Sequence, residues 1–246
     1  MDYEDLEEER RKSWNRNSWN RNSWSKNPRR VFTYWTGKES PIILLLRELI
    51  YKHSDDGKNY EVTFLTDRNI TEFIKVPAPV FDLSPNHKSD FIRVNILYKY
   101  GGIWLDADTI VMSDLSLLFE FVEKKDGFLV REWNACLCTG VFGSRRGTPL
   151  LREWKNRIDA RLEEKTELGW SDIGPWMLEG INNQTDLGGN YEILMGLDTI
   201  YPSGPEMCVS EFLIRPRSYA LKLRNNFQPL IILVNPVYNA VRNLNR

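Results

Sequence analysis

From residue 28 onward, short apolar runs alternate with longer amphipathic stretches. The runs at 30–35 and 61–65 predict buried strands, because each is rich in β-branched and aromatic residues and is followed by a Thr-Gly or Thr-Asp pair. Residues 41–51 predict a helix with a near-continuous apolar side, and residues 70–74 predict a short helix. The order strand, helix, strand, helix is typical of an α/β domain with a mostly parallel sheet.

The second half of the chain continues the alternation. A helix running to Tyr100 is predicted, with Asn86 or Ser89 as its N-cap and Gly101 and Gly102 as its end. Further strands are predicted at 103–105, 127–130, 137–142 and 229–234, and further helices at 150–162 and 171–181.

The first 27 residues differ from the rest. Three pentapeptides begin with Ser-Trp at Ser13, Ser18 and Ser23, and a period of five fits neither a helix nor a strand. We therefore expect residues 1–27 to be a disordered, low-complexity tail and residues 28–246 to form a single catalytic domain. The alternative is a Trp-Arg strip that stacks on sugars, bases or lipid.

Composition narrows the class of protein. A chain of 246 residues suits one sizeable domain, and a net charge of -1 gives no overall field to attract nucleic acid. Three Cys and two His without paired motifs argue against a zinc or disulfide scaffold. No signal peptide and no stretch of about 18 apolar residues are evident, so a cytoplasmic protein is expected, with or without peripheral membrane attachment.

Two carboxylates one residue apart are the main chemical signal. Asp106 and Asp108 directly follow the apolar run 103–105, and ligands of open α/β sheets bind beyond the carboxyl ends of strands. Two hard oxygen donors there suit Mn²⁺ or Mg²⁺ carrying a diphosphate. A solvated turn is the competing interpretation of an isolated Asp-x-Asp, but the apolar strand before it favours a metal site.

Asp90 and Arg93 form a second polar pair. Three residues apart on a helix, they project from nearly the same side. One offers only acceptors and the other only donors, so together they suit adjacent sugar hydroxyls. An intrahelical ion pair is the alternative interpretation.

Two linked motifs carry a resemblance to a known family. Ser-Asp-x-x-Arg, ending at Arg93, and Ile-Leu-x-x-x-Gly-Gly-Ile-Trp-Leu-Asp-x-Asp, ending at Asp108, resemble GT-A fold glycosyltransferases with a DXD-containing sugar-binding region. That group includes yeast-type initiating α-1,6-mannosyltransferases, capsular polysaccharide synthesis enzymes and glucosylating clostridial toxins. The similarity is specific over 88–111 and looser over 31–67 and 138–181.

The resemblance implies a GT-A-like single domain that moves a sugar from a UDP- or GDP-sugar to a hydroxyl of a glycan or other acceptor, with Mn²⁺ or Mg²⁺. It implies that Asp108 binds the metal directly, that Asp106 binds the ribose or sugar and reaches the metal through water, and that Asp90 and Arg93 hold the donor sugar. The nucleoside floor would comprise Tyr34, Trp35, Thr36 and Gly37, with Thr66 and Asp67 nearby.

The resemblance also implies roles for positions outside these two motifs. Asp172 lies in a segment similar to one that follows the donor site, where it would touch the acceptor or sugar or simply begin a helix. Relatives often supply a carboxy-terminal metal ligand, for which Asn235 and Asn239 are the available amides. A retaining reaction is expected from the closest branches.

Two other functions remain open from the sequence. A sugar-phosphate nucleotidyltransferase can share such a sheet and acidic site, although 36–40 holds one glycine and one lysine instead of a Gly-rich basic loop. A non-catalytic protein that binds glycans or nucleotide sugars is the other.

Overall fold

A computed structural model describes residues 29–55, 57–111, 114–131 and 136–195, together with the backbone of 220–222. The predicted tail at 1–27 and the predicted strand at 229–234 lie outside these residues. The division into a tail and one domain therefore stays a prediction.

The described chain forms a mixed α/β fold. Its strands are β1 (Arg30–Tyr34), β2 (Glu61–Leu65), β3 (Gly102–Leu105), β4 (Thr109–Val111), β5 (Gly127–Arg131), β6 (Leu137–Ser144), β7 (Tyr191–Met195) and β8 (Ala220–Lys222). Its α-helices are α1 (Pro41–His53), α2 (Ile70–Phe73), α3 (Pro85–Tyr100), α4 (Ser116–Lys124), α5 (Pro149–Glu163) and α6 (Pro175–Gln184), with short 3-10 turns at Ala78–Asp82 and Asp186–Gly188.

Six of the described strands make the central sheet, in the order β2-β1-β3-β6-β5-β7, and β4 pairs with β8 in a separate ribbon. The β1/β2, β1/β3 and β5/β7 pairs are parallel, whereas β6 runs antiparallel to both of its neighbours. The prediction of an α/β fold with a mostly parallel sheet flanked by helices is confirmed.

Side chains of β3 alternate between the two faces of the sheet, as the period of two requires. Ile103 and Leu105 pack with residues of α1 and α4 in one apolar cluster. Trp104 packs in the other cluster, with residues of α3, α5 and α6. The residue two positions after Trp104, Asp106, is thereby directed toward the face that α3 covers.

Two helix starts differ from the sequence prediction. Helix α3 begins at Pro85 with Ser84 as its N-cap, whose hydroxyl accepts a hydrogen bond from the His87 N–H. Proline suits the first helical position because it lacks the N–H that would be unpaired there, and this overrides Asn86 and Ser89 as caps. Helix α6 likewise begins at Pro175 instead of residue 171.

The Gly-Gly turn explains how α3 leads into β3. Gly101 and Gly102 have φ angles of 69° and 115°, which L side chains rarely adopt. A Cβ at Gly102 would lie 2.4 Å from the carbonyl oxygen of Arg30 on β1. Glycine therefore lets β3 begin directly against β1, and this fixes where β3 delivers Asp106.

Candidate functional site

The candidate site lies where the sheet reverses its strand order. From β1 the chain moves outward to β2, and then returns to the other side of β1 as β3. In open α/β sheets, ligands bind beyond the carboxyl ends of strands at such a switch point. Tyr34 ends β1 and Asp106 follows β3, and these strands are parallel neighbours paired through Phe32 and Trp104. The predicted nucleoside and metal residues are therefore at the same edge.

Arg93 is the centre of a buried polar network. Its side chain is 5% exposed, and its guanidinium lies 3.2 Å from the Asp90 carboxylate and 3.0 Å from the Asp106 carboxylate. It also donates to the carbonyl and hydroxyl oxygens of Ser89 and to the Thr139 hydroxyl on β6. One cation thus holds together the two carboxylates that the sequence had placed in separate motifs.

Asp106 is fixed by three contacts. Its Oδ1 accepts hydrogen bonds from Arg93 at 3.0 Å and from the indole N–H of Trp104 at 2.8 Å. Its backbone N–H donates to the Gly140 carbonyl at 2.7 Å. The guanidinium of Arg93 also lies 5.5 Å from the Trp104 ring centroid, within cation–π range. The Asp106 carboxylate is therefore held in one orientation before any ligand binds.

The turn after β3 places Asp108 beside Asp106. The N–H of Thr109 donates to the Asp106 carbonyl at 3.0 Å and closes the turn that carries both carboxylates. Among the described residues, no group of three or more His, Cys, Asp or Glu is arranged to hold a metal ion. Mg²⁺ is often held by one or two carboxylates plus substrate phosphates, so this pair fits a divalent ion that arrives with a diphosphate.

Asp90 is enclosed by the segment that leads into α6. It is 3% exposed, and a Cβ at Gly174 would lie 2.6 Å from its Oδ2. Only glycine allows the backbone to approach the carboxylate this closely. The Gly174 backbone therefore forms one wall around Asp90.

A second cluster surrounds Asp67 at the end of β2. Its carboxylate accepts hydrogen bonds from the hydroxyls of Tyr34 at 2.5 Å and Thr36 at 2.6 Å, and Lys88 of α3 lies 3.4 Å away. Burial alone would raise the pKa of Asp67, but the hydrogen bonds from Thr36 and Tyr34 and the charge of Lys88 outweigh it and lower the pKa. Burial, then the bond to Asp67, raises the pKa of Tyr34. Asp67 is thus an ionised acceptor beside a protonated phenol.

The remaining nucleoside-floor residues line the same strand ends. The N–H of Trp35 donates to the Leu65 carbonyl, and Gly37 follows in an exposed turn with a φ of 89°. Thr66 donates its hydroxyl to Asn69, which also accepts from the Thr66 N–H at 2.7 Å. The structure therefore brings all six predicted floor residues to one edge, although it binds Thr66 into the start of α2.

Asp172 is engaged in a local turn. It accepts from the Gly169 N–H at 2.8 Å and pairs with Arg161 at 3.2 Å. The bond from Gly169 is the main reason that the pKa of Asp172 is lowered; desolvation opposes it, and Arg161 adds to the lowering. These contacts tie Asp172 to its own turn and to α5 rather than to Asp90 or Asp106. Asn235 and Asn239, the predicted amide ligands, lie outside the described residues.

Several site residues were not predicted from the sequence. Lys88 and Ser89 directly precede Asp90 in the sequence, so their position beside the motif could have indicated that they contribute to the site. Thr139 contacts Arg93 across 46 positions of sequence, and no local pattern could indicate this. His87 is buried in the cap of α3, where its Nδ1 lies 2.9 Å from the Ser84 hydroxyl.

Comparisons with known proteins indicate the family of the chain. Residues 2–135 match the family model described as "Capsular polysaccharide synthesis protein". Inositol phosphoceramide mannosyltransferase 3 of Schizosaccharomyces pombe is 30% identical over 132 residues, covering 50% of this chain and 35% of the relative. An uncharacterised Arabidopsis thaliana protein is 32% identical over 81 residues, 33% of this chain and 12% of that protein. The chain thus spans about a third or less of the length of these curated relatives.

Similar solved structures were also found. A glycosyltransferase involved in glycosylation of the major capsid of PBCV-1 gives a TM-score of 0.49 at 14% identity, covering 80% of this chain and 93% of that one. The PaToxG glycosyltransferase gives 0.47 at 13% identity, covering 72% and 77%.

No helix within the described residues is both long enough and apolar enough to cross a membrane.

The matched family model extends over more than half of the 246 residues and includes the whole run from Asp90 to Asp108. The chain therefore belongs to the capsular polysaccharide synthesis protein family.

Proposed function

We propose that this protein is a metal-dependent glycosyltransferase that moves a sugar from a nucleoside diphosphate donor to an acceptor hydroxyl during glycan or capsular polysaccharide assembly. One observation carries the proposal. The first turns of α3 reach both strand ends, through Lys88 to Asp67 and through Arg93 to Asp106. A donor lying across the carboxyl ends of β1 and β3 would meet both clusters at once.

The Asp67 cluster suits the nucleoside end of the donor. Ribose hydroxyls and a base N–H are hydrogen-bond donors, and an ionised carboxylate offers about four acceptor positions. The bonds from Tyr34 and Thr36 orient Asp67 in advance, so little ordering remains to be done when the donor binds. In this proposal Trp35 and Gly37 complete the floor under the nucleoside.

The acidic pair suits the diphosphate end. Asp106 and Asp108 would hold a Mn²⁺ or Mg²⁺ ion together with donor phosphate oxygens, with Asn235 and Asn239 as further ligand candidates. When bound, the ion supplies Lewis-acid neutralisation of the charge that develops on the leaving nucleoside diphosphate. The protein's own part is to hold Asp106 rigidly, through Arg93 and Trp104, at the place where that charge appears.

Asp90 is assigned to the donor sugar. Its carboxylate is buried, pairs with Arg93 and is covered on one side by the Gly174 backbone. A sugar hydroxyl that reaches it gives up its own hydration and donates a strong charge-assisted hydrogen bond to the carboxylate. Retention of configuration is proposed from the resemblance. Proton NMR of the first product formed would show whether the anomeric configuration of the donor is kept.

Donor cleavage is the direct test of the proposed function. The full chain is incubated with Mn²⁺ and a panel of UDP- and GDP-sugars that includes mannose, and nucleoside diphosphate release is followed. We expect release with one donor, its loss in excess EDTA, and its recovery when Mn²⁺ is restored. The mannosyltransferase relative supports including mannose, since its name records transfer of that sugar.

Matched variants make the test specific to the acidic pair. Asp108→Asn removes one charge from the pair and is expected to lower release by at least about a hundredfold, in the range seen when one charge-stabilising group is lost. Asp186→Asn makes the same change at an exposed aspartate in a 3-10 turn and should retain activity. Full release in EDTA, or pyrophosphate formed from a nucleoside triphosphate and a sugar phosphate, would instead indicate a metal-independent enzyme or a nucleotidyltransferase.

A further inference from the structure

Two exposed tryptophans flank the segment that walls Asp90. Trp170 is 73% exposed and Trp176 is 65% exposed, the highest values among the exposed large apolar side chains of the described chain. Tryptophan is enriched where its ring meets a ligand or partner, because such contact removes a large apolar surface from water. Neither residue belongs to the donor site described above.

The backbone that carries them is held from several sides. Asn86 donates to the Trp170 carbonyl at 2.8 Å, and His87 contacts the Gly169 carbonyl at 3.0 Å. The buried indole N–H of Trp154 donates to the Ile173 carbonyl at 2.9 Å. The two exposed rings are therefore presented on a backbone fixed to α3 and α5, at low entropic cost to a ligand that stacks on them.

The position of the segment relates it to the proposed reaction. Gly174, between the two tryptophans, is the residue whose backbone closes on the Asp90 carboxylate. An acceptor must approach the donor sugar from a surface adjoining Asp90. The segment that carries both tryptophans therefore adjoins the place proposed for the donor sugar.

The chemistry of the surroundings indicates which ligand is stacked. Within residues 136–184 these two tryptophans are the only exposed large apolar side chains, and Ile173 and Leu178 of the same segment are fully buried, so no wide apolar patch surrounds them. Residues 161–172 around Trp170 contain four carboxylates, one lysine and one arginine, and Arg161 pairs with Glu164 and Asp172, so the segment stays acidic by two charges. Anionic membrane surfaces attract Lys and Arg, so they would be repelled by this acidic segment. A neutral ligand with apolar faces and hydroxyl edges fits both features.

We infer that Trp170 and Trp176 form an acceptor-binding platform that stacks on the sugar rings of a neutral oligosaccharide, an inference that rests on the proposed function. Pyranose rings present C–H faces to indole and hydroxyl edges to polar neighbours. The platform would hold the acceptor chain and leave its terminal hydroxyl directed toward the donor sugar at Asp90.

Binding to a printed array of neutral oligosaccharides with mannose, glucose or galactose termini tests the inference on the full chain. Trp170→Ala and Trp176→Ala should each weaken the array signal by about tenfold, as the loss of one aromatic contact implies. Trp→Phe at either position keeps a ring and should retain most of the signal. Leu117→Ala removes a 54% exposed apolar side chain on α4 and should bind as wild type.

A vesicle arm separates the sugar from a lipid surface. Phosphatidylcholine vesicles with and without phosphatidylserine are used to measure whether the wild type sediments with them through the same tryptophans. Tryptophan-dependent vesicle binding, wild-type protein that binds no array sugar, or Ala variants that bind the array as wild type would each overturn the inference. Failure of the proposed function is distinct, because it would appear as no donor cleavage by the wild type without acceptor.

Discussion

Replacing Arg93 with methionine should destabilise the protein strongly. The side chains of Arg93 and Asp90 are each 5% exposed, and that of Asp106 is 14% exposed. Methionine matches much of the arginine's volume but removes the cation between two carboxylates at 3.2 Å and 3.0 Å. Breaking a buried pair by removing one partner costs about 3–5 kcal/mol, because the remaining charges stay buried without compensation.

Urea denaturation at neutral pH measures this cost. The midpoint should fall while the slope stays constant, since the surface exposed on unfolding is nearly unchanged. Lys155→Met breaks an (i, i+4) ion pair with Asp159 on α5 whose side chains are 31% and 41% exposed. That matched change should cost only about 0.3–0.5 kcal/mol.

A second substitution tests the cause of the loss. Combining Arg93→Met with Asp90→Asn removes one of the two stranded charges and should restore part of the lost stability, because the double variant buries less uncompensated charge. Two results would contradict this account: an Arg93→Met variant that loses no more stability than Lys155→Met, or a double variant that loses more free energy of unfolding than the two single variants lose together. Either would mean that the carboxylates reach water and are not held in a buried network.

Three further changes probe other parts of the site. Because the pKa of Asp67 is lowered in the folded protein, its ionised form stabilises the fold above the ordinary pKa of 3.8, and this stabilisation is lost as the pH falls below that value. The difference in melting temperature between wild type and Asp67→Asn should therefore shrink on acidification. A difference that widens would contradict this. Gly102→Ala should lower the free energy of unfolding, measured in urea, by at least about 1–3 kcal/mol, because a φ of 115° is strained for alanine. The control Gly180→Ala lies in a helix with open space at the Cβ and should be neutral or stabilising. Equal losses in the two variants would refute the close approach of β1 and β3. Gly174→Ala should displace Asp90 and reduce donor cleavage, and unchanged cleavage kinetics would show that Asp90 has no such role.

Local patterns predicted most of the fold because they report local physics. Strand β2 was placed correctly at both ends, since a short apolar run between polar residues leaves little choice of register. The Gly101–Gly102 turn was also evident, because glycine at a helix end commonly adopts a positive φ. The start of α6 was predicted four residues too early, at 171, because Pro175 sets the first helical turn.

The network around Arg93 could be predicted only in part. Its contact with Asp90 follows from helical spacing, and the motif indicated that Asp106 is near. The contact with Thr139 depends on β6 inserting antiparallel beside β3, a pairing that no residue of the motif determines. Likewise, Lys88 reaches Asp67 only because α3 crosses the ends of both β2 and β3.

The geometry of Arg93 bears on how the proposed donor sugar would be recognised. A guanidinium has five N–H donors, and here all three of its nitrogens face protein acceptors: Ser89, Thr139, Asp90 and Asp106. A sugar hydroxyl would have to displace one of these contacts to bind Arg93 directly. We therefore expect Arg93 to act through Asp106 and Asp90. Arg93→Lys keeps the charge but loses the planar set of guanidinium donors. It should raise the Mn²⁺ concentration needed for donor cleavage more than it raises the KM for the donor. A selective rise in donor KM would show instead that the guanidinium itself contacts the sugar.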